Sequence, residues 1–140
     1  MSAPLLQVTD LEKHFAVGKK NFMGKATQTL KAVDGVSFEL ERGETLGLVG
    51  ESGCGKSTCA RTIVGLYPAT AGSVKFEGEE LMGLSRSEWM PYRRKIQMIF
   101  QDPYASLDPR QTVSSILAEP LAIHALDKPR DRRLKAMALL

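Results

Sequence analysis

Residues 46–58 read LGLVGESGCGKST. A short apolar run ends in Gly50, a glycine-rich stretch follows, and the segment closes on Lys56-Ser57-Thr58. The pattern Gly50-x-x-x-x-Gly55-Lys56-Ser57 has the spacing that lets backbone wrap around a phosphate. Glycines permit the turn that makes successive N–H groups converge on one anion, and the start of the next helix adds its partial positive charge. The pattern places Gly50, Glu51, Ser52, Gly53, Cys54, Gly55, Lys56, Ser57 and Thr58 in the cradle. Lys56 is expected to reach the β- and γ-phosphates, Ser57 to offer its hydroxyl to Mg²⁺, and Thr58 to bond the α-phosphate. Cys54 fills a free position, read either as a small residue that fits or as a thiol activated by the helix start.

The flanks agree with this reading. TLGLV (45–49) is nearly all apolar, as expected of a strand covered on both faces. Beyond Gly55 the period changes: Cys59, Ile63 and Leu66, and again Ala60, Val64 and Tyr67, fall at helical spacing. The predicted helix is buried around most of its girth and ends near Pro68 and Gly72. Strand, glycine loop and helix in that order are the context the motif requires.

Upstream, LLQVTDLEKHF (5–15) reads as a first strand, and VGKKNFMGKATQT (17–29) as a polar loop within a hairpin. VSFEL (36–40) alternates, with Val36, Phe38 and Leu40 on one face and Ser37 and Glu39 on the other, which predicts a half-buried antiparallel strand. Downstream, SVKFEG (73–78) alternates again, SEWMPYRRK predicts a short broken helix, and KIQMIF (95–100) a second apolar strand. QDPYASLDPR carries two Asp-Pro pairs and reads as a loop. Two helices follow, TVSSILAEPLAIHAL (112–126), interrupted near Pro120, and one beginning at DRRLKAMALL. The expected architecture is α/β, an antiparallel β meander followed by an incomplete core sheet.

Composition excludes several classes. With 140 residues, 43% hydrophobic and 25% charged, the chain has the size and balance of one globular domain. A net charge of +3 is too small to argue for nucleic acid, and the basic clusters at 93–95 and 128–133 read as solvated helix faces. Two cysteines, Cys54 and Cys59, make no disulfide or metal framework and point to a reducing compartment. No apolar run is long enough to span a bilayer, and MSAPLLQVTD lacks a signal-peptide design, so a cytosolic setting is expected.

A phosphate cradle alone does not name a chemistry. Here an antiparallel meander precedes it, no Asn-Lys-x-Asp segment for guanine is present, and Gln101 follows an apolar strand 45 residues beyond Lys56. LEKHF, AVDGVSFELERGETLGLVGESGCGKST and IQMIFQDPYASLDPR, in that order, resemble the ATP-binding subunit of ABC transporters, most closely the dipeptide, oligopeptide and nickel importer branch. The resemblance covers nearly the whole chain and implies a P-loop NTPase fold of the ABC nucleotide-binding type over residues 1–140. It implies ATP and Mg²⁺ as ligands. Phe15 stands where the family stacks an aromatic on adenine, with a core phenylalanine as the alternative. Gln101 stands where the family's glutamine approaches Mg²⁺ and the attacking water, with a polar strand-end cap as the alternative. Residues 102–110 stand near the family's docking surface for the permease, where Tyr104 and Leu107 are either contacts or turn packing. The implied partners are transmembrane permease subunits, a second ATP-binding subunit and, indirectly, a solute-binding protein, on the cytoplasmic face of the membrane. No nucleic acid is expected. The remaining readings are a soluble ABC ATPase acting on DNA or ribosomes, and a nucleotide-binding module without turnover.

The resemblance also leads one to expect parts that these residues lack: a Leu-Ser-Gly-Gly-Gln signature, a Walker B Asp-Glu and a switch histidine, His14 and His124 being the only histidines. In the family all lie beyond Gln101, and the apolar, uncapped Leu139-Leu140 reads as a cut rather than a natural end. The expectation is a chain that binds nucleotide far better than it cleaves it, and that is marginally stable or aggregation-prone by itself.

Overall fold

The structure, a computed structural model, describes residues 3–20, 26–102, 106–124 and 128–139. Two units are distinguished, Met1–Trp89 and Met90–Leu140, and each is described by itself.

The first unit is built on β1 (Leu6–Lys20), which pairs on both sides. One neighbour is β2 (Ala26–Leu40), the other β3 (Ala71–Phe76), and β4 (Glu79–Glu80) extends β3. All pairings are antiparallel, in the order β2-β1-β3-β4. Val8 is the centre of the register, opposite Phe38 on β2 and Val74 on β3. Val8, Leu11, Val74 and Leu81 are essentially solvent-free. At about 1.5–3 kcal/mol per buried aliphatic side chain, this file supplies much of the sheet's cohesion.

The alternation predicted for 36–40 is present: Val36, Phe38 and Leu40 are half-buried, Ser37 and Glu39 exposed. β1 bulges between Thr9 and Glu12 on its β3 side. There Asp10 adopts a left-handed φ of 47°, its N–H donates to Ser37 Oγ at 2.8 Å, and the Ser37 hydroxyl donates back to Asp10 Oδ1 at 3.2 Å. Gly72 faces the bulge, and a Cβ there would lie 2.4 Å from the Asp10 carbonyl oxygen.

Four expectations are corrected. The hairpin is longer than predicted: Ala16 pairs with Thr29, Val17 with Gln28 and Lys20 with Ala26, while residues 21–25 lie outside the described ones. A strand needs only ladder partners, so polarity on both faces disguised this ribbon as a loop.

Second, residues 45–49 form no strand. Among the described residues none pairs with them, and Leu46, Leu48 and Val49 are 45%, 45% and 94% exposed. Residues 95–100 likewise form no strand, with Ile99 91% exposed. Apolar composition marks what such segments would bury, but a strand exists only through its neighbours. Among the described residues the antiparallel meander is therefore formed and no parallel strand pairing is present.

Third, α1 (Lys56–Ile63) stops short of Tyr67. Gly65, at φ 69°, donates to Thr62 O at 3.1 Å, and Leu66 donates to Arg61 O at 2.8 Å. These two bonds are the Schellman arrangement that satisfies a helix's last carbonyls. The position needs glycine twice over, because a Cβ on Gly65 would come within 2.5 Å of the buried Trp89 indole. Trp89 ends α2 (Arg86–Trp89), whose start is closed by Glu88 accepting from Ser85 N at 2.8 Å.

The fourth correction falls in the second unit, which runs from a 3₁₀ turn at Tyr92–Arg94 to α3 (Val113–Ile123) and α4 (Pro129–Ala138). Thr112 caps α3 by accepting from Ser115 N at 3.2 Å. The helix continues through Pro120 instead of breaking there. It has one turn left, and His124 N–H still reaches Pro120 O at 3.1 Å, so only the bond that proline cannot donate is lost. α4 packs on α3 and buries Ala136 completely. No helix among the described residues is long and apolar enough to cross a membrane.

Candidate functional site

The glycine loop joins the exposed 45–49 segment to α1. Cys54 N–H donates to Glu51 O at 3.3 Å, which folds the loop into a turn, and Gly53 and Gly55 take φ values of 84° and 99°. Such values are open to glycine and strained for other residues. Gly55 is the N-cap of α1, and Cys59 N–H donates to its carbonyl at 2.8 Å. No side chain caps the helix start and no acidic residue sits in its first turn. The opening N–H groups and the positive end of the helix are thus left for an anion.

Gly55 also seats the loop. A Cβ at this position would lie 2.0 Å from Ala32 O and 3.9 Å from Val33 Cγ2, so α1 begins in backbone contact with β2. At Gly50 a Cβ would meet Cys54 Sγ at 2.6 Å, so the two ends of the loop close on each other.

Lys56 folds back over this turn. Its Nζ donates to Gly50 O at 2.7 Å and Glu51 O at 2.6 Å, and stands 3.5 Å from Cys54 Sγ. Ser57 is exposed in the first turn of α1, and Thr58 is half-buried with its carbonyl accepting from Thr62 Oγ1 at 2.8 Å. Cys59 is buried at the inner side of the cleft beside the loop, and burial pushes its thiol pKa up.

A cleft of about 360 Å³ opens beside the loop. Lys31, Asp34 and Val36 of β2 line one side, Val49 the approach, and Cys54 and Lys56 the floor. Two ammonium groups, from Lys31 and Lys56, therefore border one concave space. Lys31 is partly neutralised by Asp34, whose oxygens lie 3.3 and 3.2 Å from Nζ. That bond, helped by the His14 ring, holds the Asp34 carboxyl below its usual range against the opposing effect of burial. Lys56 meets only carbonyls and a thiol, so it is the cation for which a phosphate can compete.

Phe15, on β1 opposite Leu30, is half-buried. Its ring meets Tyr67 edge-on, with centroids 5.5 Å apart and planes at 89°, and the Lys13 ammonium stands 4.8 Å from its centroid. Lys13 is itself buried and donates to Pro68 O at 2.8 Å. The ring is thus held by two neighbours without being enclosed, and it does not line the cleft. Gln101 lies in the second unit, exposed at a bend. Leu107 is 50% exposed, and Tyr104 falls outside the described residues. Of the residues from Gly50 to Thr58, Cys54, Gly55 and Lys56 line the cleft, and it adds Lys31 and Asp34, which sequence reasoning did not single out. Nothing in the linear sequence marks these two, since their place beside the loop comes from the contact of β2 with Gly55.

The donor set suits a magnesium-bound nucleoside polyphosphate. The loop offers backbone N–H groups and an ammonium for phosphate oxygens, and Ser57 a hard hydroxyl oxygen for the cation.

Comparison with known proteins agrees with this geometry. The oligopeptide transport ATP-binding protein OppF of Escherichia coli (strain K12) is 52% identical over 139 residues, covering 96% of this chain and 42% of that protein. The dipeptide transport ATP-binding protein DppF of the same strain is 44% identical over 140 residues, covering 100% of this chain and 41% of that protein. The chain thus spans about two fifths of the length of these relatives. Among solved structures, the dimeric post-hydrolysis ATP-binding cassette MJ0796 bound to ADP and Pi superposes with a TM-score of 0.75 at 25% identity, over 95% of this chain and 54% of that one. Residues 33–139 match the ABC transporter family, and the chain belongs to it.

Proposed function

We propose that the protein of which these residues are part is the ATPase subunit of a peptide importer, and that residues 50–58 hold its Mg·ATP. The observation that carries this reading is the loop itself. An uncapped helix start, two left-handed glycines and a lysine held by loop carbonyls and the Cys54 thiol face a cleft with a second cation at its rim. Relatives named for oligopeptide and dipeptide transport support the choice of cargo.

In this reading the backbone N–H groups of residues 51–57 and the start of α1 bind the β-phosphate. Lys56 exchanges its bonds to Gly50 O and Glu51 O for oxygens of the β- and γ-phosphates. The exchange replaces neutral acceptors by anionic ones, which adds direct attraction between opposite charges. Thr58 bonds the α-phosphate. Ser57 would offer its hydroxyl to Mg²⁺, which when bound would supply charge neutralisation at the phosphates, and Gln101 keeps the role toward the ion that the family resemblance implies. Gln101 also orients the attacking water. Phe15 presents its ring to adenine. Its anchoring by Tyr67 and Lys13 limits the ordering cost of stacking.

The partners are transmembrane permease subunits, a second ATP-binding subunit, identical or different, and a solute-binding protein that delivers cargo. The site of action is the cytoplasmic face of the membrane. Deleting the gene should abolish ATP-dependent uptake of labelled di- and oligopeptides, and the tagged protein should co-purify with permease subunits. Unimpaired uptake together with a solely soluble ATPase activity would replace this reading by a non-transport one.

A further inference from the structure

Three side chains with metal-type donor atoms, Glu12, His14 and Asp34, meet on the meander, and Asp34 also lines the cleft. Glu12 and His14 are two apart on β1 and so share one face of the strand. Asp34 comes from β2, where the register shifts between Lys13–Val33 and His14–Lys31. The three donor atoms all lie within 4.8 Å of one another. His14 Nε2 is 3.3 Å from Asp34 Oδ1 and 3.6 Å from Glu12 Oε2.

Two oxygens or nitrogens bound tetrahedrally to zinc at ~2.1 Å are ~3.4 Å apart, so both histidine separations match a shared metal. The backbone is fixed for it: Thr70 N–H donates to Glu12 O at 2.8 Å, and His14 N–H donates to Thr70 Oγ1 at 2.9 Å. The side chains are graded in exposure, 17% for His14, 34% for Glu12 and 52% for Asp34, which gives a seated imidazole and an open approach for the ion.

We infer that Glu12, His14 and Asp34 form a surface site for a divalent transition ion, Zn²⁺ by donor type, with a fourth position left to water. One imidazole nitrogen and two carboxylate oxygens suit zinc better than magnesium or calcium, which take oxygen alone. The ion competes with the hydrogen bond between His14 Nε2 and Asp34 Oδ1 and with the Lys31 ammonium on Asp34. Zinc binding therefore releases Lys31 at the rim of the cleft that holds Lys56. The inference stands whether or not the cleft takes ATP.

The test is calorimetric titration of Zn²⁺ into the chelator-stripped, nucleotide-free whole protein, with Co²⁺ absorption as a second readout. The wild type should bind one more ion per chain than His14→Gln or Asp34→Asn, or bind it at least tenfold more tightly. Lys31→Met, which removes the competing ammonium, should tighten binding several-fold. Should His14→Gln fail to fold, the exposed Glu12→Gln decides in its place and should also weaken binding. Equal stoichiometry and affinity in wild type and ligand variants would overturn the site. Unchanged or weaker zinc binding in Lys31→Met would overturn the role given to Asp34.

Discussion

Gly55→Ala tests how the phosphate loop is positioned. The added Cβ meets the Ala32 carbonyl oxygen at 2.0 Å, where ordinary contact begins above 3 Å, and the backbone sits at φ 99°. Holding a non-glycine residue at such a φ costs about 1–3 kcal/mol. The clash is with backbone on a paired strand, so no side chain can swing aside, and overpacking of this kind costs about 1–3 kcal/mol more. Gly53→Ala provides the control: its φ is 84°, but nothing lies within 4 Å of the new Cβ. Both variants carry the conformational strain and only one carries the clash. Urea or thermal unfolding of the nucleotide-free protein, followed by circular dichroism, should place Gly55→Ala below Gly53→Ala by about 1–3 kcal/mol. That corresponds to a midpoint several degrees lower. Equal stabilities would refute the claim that contact with β2 seats the loop.

Two further outcomes are expected. Gln101→Ala should leave Mg·ATP binding largely intact and lower hydrolysis in the whole protein; loss of binding instead, measured by nucleotide titration, would give Gln101 another role. Glu80 should make the meander acid-sensitive. Burial pushes its carboxyl up, but hydrogen bonds from the Ser73 hydroxyl and the Met82 and Val74 N–H groups outweigh this and hold it below its usual 4.5. A lowered folded pKa means stability present above that value and lost as pH falls through the folded one, so Glu80→Gln should flatten the stability profile below about pH 4.5. An unchanged acid limb in that variant would show that these bonds do not discriminate between the charged and neutral carboxyl.

The parts legible in the sequence were those decided by local chemistry. Alternation at 36–40 gave the half-buried strand, and glycine spacing placed Gly50 to Lys56 at a loop running into a helix. Gly65 could have been read as the end of α1, because a glycine after a helical run is the usual left-handed stop; Pro68 was the more conspicuous breaker and drew the boundary too far. The pairing of residues 16–20 with 26–29 was hidden because a polar stretch shows no apolar alternation from which a strand can be read. TLGLV and KIQMIF carry the composition of buried strands, but pairing depends on neighbours that composition cannot supply. The cleft residues Lys31 and Asp34, and the meeting of Glu12, His14 and Asp34, arise from register shifts across β1 and β2, which no linear pattern encodes.

In the proposed function Lys56 is the group that trades loop carbonyls for phosphate oxygens. Titrating Mg·ATP into the wild-type protein and into Lys56→Ala, with folding of both checked by circular dichroism, tests that claim most directly. Saturable binding to the wild type and none in the folded variant is the predicted result. Equal nucleotide affinity in the two would contradict it.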